Sequence, residues 1–207
     1  MSSKAARQKR IGRLFVISAP SGSGKTTLLR HLVRVEPGVQ LSISATTRPA
    51  RAGERNGRDY QFLSPRQFLQ EVRRGKFFEH ARILNHWYGT PRAPILRALK
   101  SGRDVLLGVD IQGARSIRRS GFPSTTIFIL PPSLAVLRKR LHRRGTETPA
   151  QIAARLKLAR RELAQMPRYD YAVVNDRLAD AIGQIRSILT AERCRTKVSE
   201  ARRECST

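Results

Sequence analysis

The stretch Ala19-Pro20-Ser21-Gly22-Ser23-Gly24-Lys25-Thr26 has residue types suited to one task, holding phosphates. Gly22 and Gly24 permit backbone bends that make several N–H groups converge, and a following helix adds its positive N-terminal end. Lys25 offers a point charge for β- and γ-phosphates, and the Thr26 hydroxyl suits a magnesium ion. Ala19 stands where the usual pattern has its first glycine; that place needs a small residue, and alanine is one. The context supports the motif. Leu14-Phe15-Val16-Ile17 before it reads as a buried strand, and Thr27-Leu28-Leu29-Arg30-His31-Leu32-Val33 after it carries its apolar residues on one helix face. A glycine-serine turn with a surface lysine is the bland alternative, and the strand–loop–helix context disfavours it. The stretch predicts nucleoside triphosphate binding.

A second set of residues points to a second phosphate. Leu41 to Glu54 reads as a short strand running into a hydroxyl-rich turn with Arg48 and Arg51, and Pro49 between them argues against a helix. Asn56-Gly57 predicts a tight hairpin turn, with Tyr60 and Phe62 alternating on the strand after it. Paired arginines, hydroxyls and a tyrosine suit forked contacts to a phosphate; a solvated basic loop fits these residues equally well. Glu79, set among Phe77, Phe78, Trp87 and Tyr88, is either a buried carboxylate reading a base edge or a surface acid. Asp110 closes an apolar strand over 104–109, at the end where an open parallel sheet places its ligands. Two arginine-dense helices, with Arg138, Lys139, Arg140, Arg143 and Arg144 on one and Arg155, Arg160 and Arg161 on the other, suit a mobile cover over phosphates or a charged solvent-facing pair. His80 and His86 show no ligand spacing, and no catalytic triad or metal-ligand cluster is legible.

The elements that must position these groups have clear signals. Ser64-Pro65-Arg66-Gln67 and Thr148-Pro149-Ala150-Gln151 are helix starts with a cap, a first-turn proline and a glutamine three residues on. Thr90-Pro91 and Ser133 open two more helices. Segments 126–130 and 171–175 read as core strands, and 179–193 as a closing helix. Strand and helix alternate, which predicts a parallel α/β sheet with right-handed crossovers. At 207 residues and 40% hydrophobic, the chain fits one domain, and no apolar run approaches a membrane span. With no apolar segment behind the first basic residues, a signal peptide is not expected, and Cys194 and Cys205 show no pairing pattern, which fits a reducing cytoplasm. Lys plus Arg is 41 against 15 Asp plus Glu, a net +26, so incidental nucleic-acid affinity is expected. Residues 1–13, with Lys4, Arg7, Lys9, Arg10 and Arg13 and no acid, read as a disordered basic arm.

From about Leu14 to Arg193 the chain resembles the guanylate kinase family. The resemblance is carried by residues 19–26, Ser-Ala-Thr-Thr-Arg-Pro-Ala-Arg-Ala-Gly-Glu at 44–54, Asn-Gly-Arg-Asp-Tyr at 56–60 and Phe-Glu-His-Ala at 78–81. It continues through Tyr-Gly-Thr at 88–90, Asp-Ile-Gln-Gly at 110–113, Arg-Gly-Thr-Glu-Thr at 144–148 and Val-Asn-Asp at 174–176. It implies a P-loop NTPase-type parallel sheet flanked by helices, a GMP-binding insertion near 44–92, a helical lid near 134–167 and a polar tail over 194–207. It implies phosphoryl transfer from MgATP to GMP, and to dGMP, in purine metabolism. By resemblance Arg48, Arg51, Tyr60 and Tyr88 hold the GMP phosphate, Ser44, Glu79 and Thr90 contact guanine, and Asp110 sits near guanine and the metal water. Residues Ala19 to Thr27 bind ATP with Asn175 beside adenine, Thr26 holds Mg2+, and Lys25, Arg140, Arg144 and Arg155 are catalytic. The chemistry of guanine agrees: its N1–H and exocyclic amine are adjacent donors that one carboxylate accepts together, and AMP lacks that pair.

One departure stands out. The family usually has Asp where this chain has Gly108, a carboxylate that would help hold magnesium through water; either Glu54 or Asp110 compensates or turnover is slower. Arg177 also stands where a second acid is common. Gly108 favours a weakened, binding-only relative of the family, whereas Gly24-Lys25-Thr26 and the lid arginines favour an active kinase. A related kinase acting on another phosphorylated acceptor is disfavoured by Ser44, Glu79 and Thr90.

Overall fold

The computed structural model describes residues 10–83, 85–142 and 148–195. Strand β1 (Leu14–Ser18) is buried at all five positions, the pattern of a strand covered by helices on both faces. After it come α1 (Lys25–Val35), β2 (Val39–Leu41), β3 (Ala45–Thr46), β4 (Gln61–Phe62), α2 (Pro65–Arg73), β5 (Phe77–Ile83), β6 (His86–Pro91), α3 (Arg92–Lys100), β7 (Asp104–Gly108) and α4 (Ile111–Arg119). The chain continues through β8 (Thr125–Leu130), α5 (Leu134–His142), α6 (Pro149–Leu163), β9 (Tyr171–Val174) and α7 (Leu178–Cys194). Five strands form a sheet in the order β2-β7-β1-β8-β9, and every pairing in it is parallel. A smaller sheet, β4-β3-β6-β5, lies apart from it.

Burial explains the layers. Leu28, Leu29 and Leu32 of α1 pack with Ile185 and Leu189 of α7 against Phe15, Ile17 and Ile127 on one face of the large sheet. Ile95 and Leu99 of α3, with Ala114 and Ile117 of α4, cover Val16 and Leu107 on the other. Leu137 and Leu141 of α5 make a separate cluster with Ile152 and Ala159 of α6, so the arginine-dense helices hold each other as a unit. The cap signals are realised: Ser64 and Thr148 each complete a reciprocal box with Gln67 and Gln151, and the Ser133 hydroxyl accepts from the Val136 amide at 3.1 Å. Among the described residues, no helix is long and apolar enough to cross a membrane.

Three expectations are corrected. The short strand read at Leu41 is two strands, β2 and β3. Ser42 makes its bond to Leu106 O in the large sheet, and Ala45 already pairs with Gly89 in the small one, so the chain changes sheets between them. Asn56-Gly57 makes no hairpin: β4 runs parallel to β3, an arrangement a tight turn cannot connect. Asn56 instead closes its own loop, its Oδ1 accepting from the Phe62 amide at 2.9 Å while the Gly57 amide donates to Tyr60 O. Two residues read as part of a disordered basic arm are held in the fold. Residues 1–9 lie outside the described residues, but Arg10 and Arg13 are anchored. The Arg10 Nη2 donates to both oxygens of fully buried Asp104 at 2.8 Å, and the Arg13 amide donates to Asp104 Oδ1 at 2.9 Å.

Asp104 also accepts from Arg193 Nε at 2.8 Å, and Arg193 bridges on to Glu36 at 2.7 Å. One carboxylate thus joins the start of β7, the entry to β1 and the end of α7. Asp104→Ala removes the shared acceptor and leaves Arg193 and the Arg13 amide without it, a loss of about 3 kcal/mol for breaking a buried ion pair from one side. Urea unfolding is expected to show this loss, with Tm lower by roughly 6–12 °C for a chain of this size.

Candidate active site

The phosphate loop is built where β1 ends. The Ser18 hydroxyl donates to Asp110 O at 3.2 Å, which ties the end of β1 to the loop following β7. Gly24 takes φ 85° to start α1, and a Cβ there would fall 2.6 Å from the Asn175 amide nitrogen. That amide donates to Ser23 O at 2.7 Å, so the glycine and the asparagine are two halves of one contact. From the helical cover, Arg140 Nη2 donates to Asn175 O at 3.1 Å and Arg155 Nη1 to Ser21 Oγ at 2.8 Å. Leu137 and Leu141 close over Gly22 from the same side. Arg144 lies outside the described residues. Thr26 and Thr27 are exposed on the first turn of α1.

Lys25 turns inward and its Nζ donates to Val109 O. Burial lowers its pKa to about 8, against the opposing pull of Asp110, Glu162 and Glu79. At neutral pH the group therefore keeps its proton, and three carboxylates surround the charge.

Beyond Lys25 opens a cavity of about 190 Å³ whose wall includes Lys25, Ser44, Tyr60, Glu79, Tyr88, Gly108 and Asp110. Lys25 comes from the start of α1, Gly108 from the end of β7 and Asp110 from the cap of α4; the small sheet and its loops supply Ser44, Tyr60, Glu79 and Tyr88. Asp110 caps α4, its Oδ1 accepting from the Gly113 amide at 2.7 Å. Thr90 is fully buried and does not line the cavity; its hydroxyl donates to Glu79 Oε1 at 2.5 Å and fixes the carboxylate from behind. Arg48 and Arg51 do not line the cavity. The Arg48 guanidinium lies 5.4 Å from the Tyr60 ring centroid and pairs with Glu54 at 2.9 Å, while the Arg51 amide donates to the same carboxylate at 2.8 Å. Glu54 is therefore committed to positioning that loop, not to replacing an acid at 108. At Gly108 a Cβ would lie 2.6 Å from Leu29 Cδ1, so an aliphatic side chain of α1 fills the space a carboxylate would take.

Two residues had no role assigned from sequence. Gly113 lets α4 approach the carboxylate, since a Cβ there would sit 3.2 Å from Glu79 Cδ and 3.0 Å from Val109 Cβ. Glu162, on α6, brings an acid to the phosphate loop; its signal was the seven-residue spacing from Arg155, two turns along one helix face.

Burial raises the Glu79 pKa to about 7; the Thr90 hydrogen bond and Lys25 oppose this, and Asp110 adds to it. Because the folded value lies above the ordinary 4.5, the group's contribution to stability falls as pH rises from about 4.5 to about 7. Binding a ligand that donates to the ionised carboxylate runs the other way. The KM for such an acceptor is expected to approach a tenfold fall per pH unit below about pH 6.5 and to level off above about 7.5. A pH series of initial rates checks this, and Glu79→Gln should remove the step.

A parallel sheet ending in a glycine-lysine-threonine loop, with a helical arginine-bearing cover and a second cavity beside the lysine, defines a P-loop phosphotransferase. The sequence model of the guanylate kinase family matches residues 11–192. A guanylate kinase of Rhodopseudomonas palustris is 49% identical over 89% of this chain and 84% of its own length. Another, from Coxiella burnetii, is 49% identical over 90% of this chain and 91% of its own. The crystal structure of guanylate kinase from Anaplasma phagocytophilum superposes with a TM-score of 0.72 at 34% identity, covering 91% of this chain and 89% of that one. The chain belongs to the guanylate kinase family and is a nucleoside monophosphate kinase, an ATP:GMP phosphotransferase.

Proposed function

We propose that the cavity between the two sheets receives GMP, with dGMP as a second acceptor, and that the loop Ala19–Thr26 receives ATP. The observation that carries this is Glu79, held by the buried Thr90 hydroxyl, in the wall of a cavity that Lys25 also lines. Glu79 accepts from guanine N1–H and the exocyclic amine while the Thr90 hydroxyl takes a third acceptor site, and Ser44 lies along the same wall. Tyr60, Tyr88, Arg48 and Arg51 face the acceptor phosphate. Arg48 is pre-ordered by Glu54 and the Tyr60 ring, so little side-chain freedom is lost when it binds.

Phosphoryl transfer needs alignment and positive charge more than covalent help. An oxygen of the GMP phosphate bonds to the γ-phosphorus, and the bond from that phosphorus to the departing ADP oxygen breaks. Lys25 sits between the two sites to neutralise charge on the moving group, and Arg140 and Arg155 come down with α5 and α6, joined by Arg144. Asn175 holds the phosphate loop through Ser23, which supports a positioning role for it beside the donor's base. The donor set fits a magnesium ion brought by ATP: Thr26 offers one hydroxyl, and among the described residues no group of three or more His, Cys, Asp or Glu forms a metal cage. The ion would supply neutralisation of negative charge on the donor's phosphates. The reading also places the protein in purine nucleotide metabolism.

An ADP-release assay with MgATP and, separately, GMP, dGMP, AMP, CMP and ribose 1,5-bisphosphate tests the assignment. Turnover confined to GMP and dGMP supports it, whereas comparable rates with AMP or ribose 1,5-bisphosphate would remove the guanine reading.

A further inference from the structure

Glu162 is the acid that the reaction as described leaves without a task, and its surroundings are specific. It projects from the last turn of α6, seven residues after Arg155, and both residues meet Ser21 of the phosphate loop. Arg155 takes the Ser21 hydroxyl, and the Ser21 backbone N–H faces the Glu162 carboxylate. One carboxylate oxygen, Oε2, is buried and has no hydrogen-bond partner among the described residues. The same carboxylate acts electrostatically on Lys25 and on Asp110. Covered carboxylate oxygens normally have hydrogen-bond partners, so a half-buried acid with one covered oxygen unpaired beside the phosphate loop calls for a reason other than stability.

The chemistry of the neighbours supplies one. A loop N–H and a buried ammonium are what a triphosphate recruits, and a carboxylate is a weaker anion able to use both. We propose that Glu162 is a resident competitor of the donor's phosphates, an acid on the helical cover that shares the Ser21 amide and the Lys25 charge and so sets a lower affinity for ATP. Arg155 and Glu162 then act in opposite senses from one helix face: the arginine draws the cover toward the phosphates, and the carboxylate limits how tightly they are held. Only interactions stronger in the transition state than in the bound substrate accelerate the transfer, so with ATP saturating a weaker ground-state capture leaves the transfer step unslowed, and the same repulsion acting on ADP hastens its release.

This inference rests on the proposed reading of Ala19–Thr26 as the donor site, and direct binding separates the two. ATP is titrated calorimetrically, with magnesium and without GMP, into the full chain and into Glu162→Gln and Glu162→Ala, each first shown to unfold at a Tm close to the parent's. Glutamine keeps the shape and an oxygen facing Ser21 but removes the charge. The expected result is a Kd for ATP about five- to tenfold lower in Glu162→Gln, and lower also in Glu162→Ala. An unchanged or higher Kd in Glu162→Gln overturns the proposal, as does tightening by glutamine with weakening by alanine, which would mean that the contact to Ser21 is a tether. Should glutamine prevent folding, Glu162→Ala decides alone on the same criterion. Failure of the parent chain to bind ATP at all would instead overturn the donor-site reading.

Discussion

Lys25→Met is expected to lower kcat for GMP phosphorylation at least about a thousandfold while leaving the protein folded. The size follows from what the ammonium is placed to do. It is held inside the protein between the phosphate loop and the second cavity, fixed by Val109 O, so its charge meets the moving phosphoryl with little water between them. Removing one such preorganised donor costs about 10²–10³ in rate, and removing a positive charge from a phosphoryl-transfer site costs about 10³–10⁵. Stability should move the other way. The Lys25 pKa is lowered from 10.5 to about 8, which means burial disfavours its charged form by about 3 kcal/mol relative to the unfolded chain. A depressed lysine binds fewer protons folded than unfolded, so its contribution to stability rises with pH from about 8 to about 10.5. Replacing it with an uncharged side chain of similar length removes that cost at pH 7, and Tm should stay level or rise. Rate collapse together with unchanged or higher Tm is the signature to measure. A Tm that falls with the rate would place Lys25 among the groups that hold the fold.

Glu79→Gln should reduce kcat/KM for GMP by roughly a hundred- to a thousandfold and leave the weaker acceptors close to their low starting rates. Two hydrogen bonds to a charged acceptor are lost or inverted, each worth about 1.5–3 kcal/mol, because an amide presents a donor to one of guanine's two donors. The Thr90 hydroxyl, 2.5 Å from Glu79 Oε1, already fixes one oxygen, so the amide has little freedom to turn away from the mismatch. Steady-state rates with GMP and AMP, taken at a pH above 7.5 where Glu79 is ionised, give the discrimination directly. Equal loss for both acceptors would show that the carboxylate holds the cavity's shape and does not read the base.

The site was legible in sequence wherever a local rule specifies backbone. The phosphate loop, with glycines at φ 94° and 85°, and the caps at Ser64 and Thr148 are contacts within a few residues, so the order of side chains contains them. The hydrophobic runs gave the parallel sheet for the same reason: a strand buried on both faces must be apolar at every position, and Leu14–Ser18 nearly is. Resemblance then supplied acceptor residues that spacing alone left open between a phosphate site and a solvated loop.

Tertiary structure decided what distant segments do to one another. Thr90 and Glu79 are neighbours only because β5 and β6 pair, and their hydrogen bond makes the threonine a support behind the wall and not part of it. Asn56-Gly57 has the residues of a hairpin, yet the strand that follows pairs in parallel, because the partner was set by the chain's change of sheet after Ser42. Arg10 is one more basic residue in a basic arm until Asp104, 94 positions away, is buried beside it. By itself the sequence determined the class of chemistry, because phosphate binding is a property of local backbone. Which acid faces Lys25, which glycine admits Glu79, and what fills the space at Gly108 were decided by packing, since burial and electrostatic field depend on neighbours that the order of residues does not name.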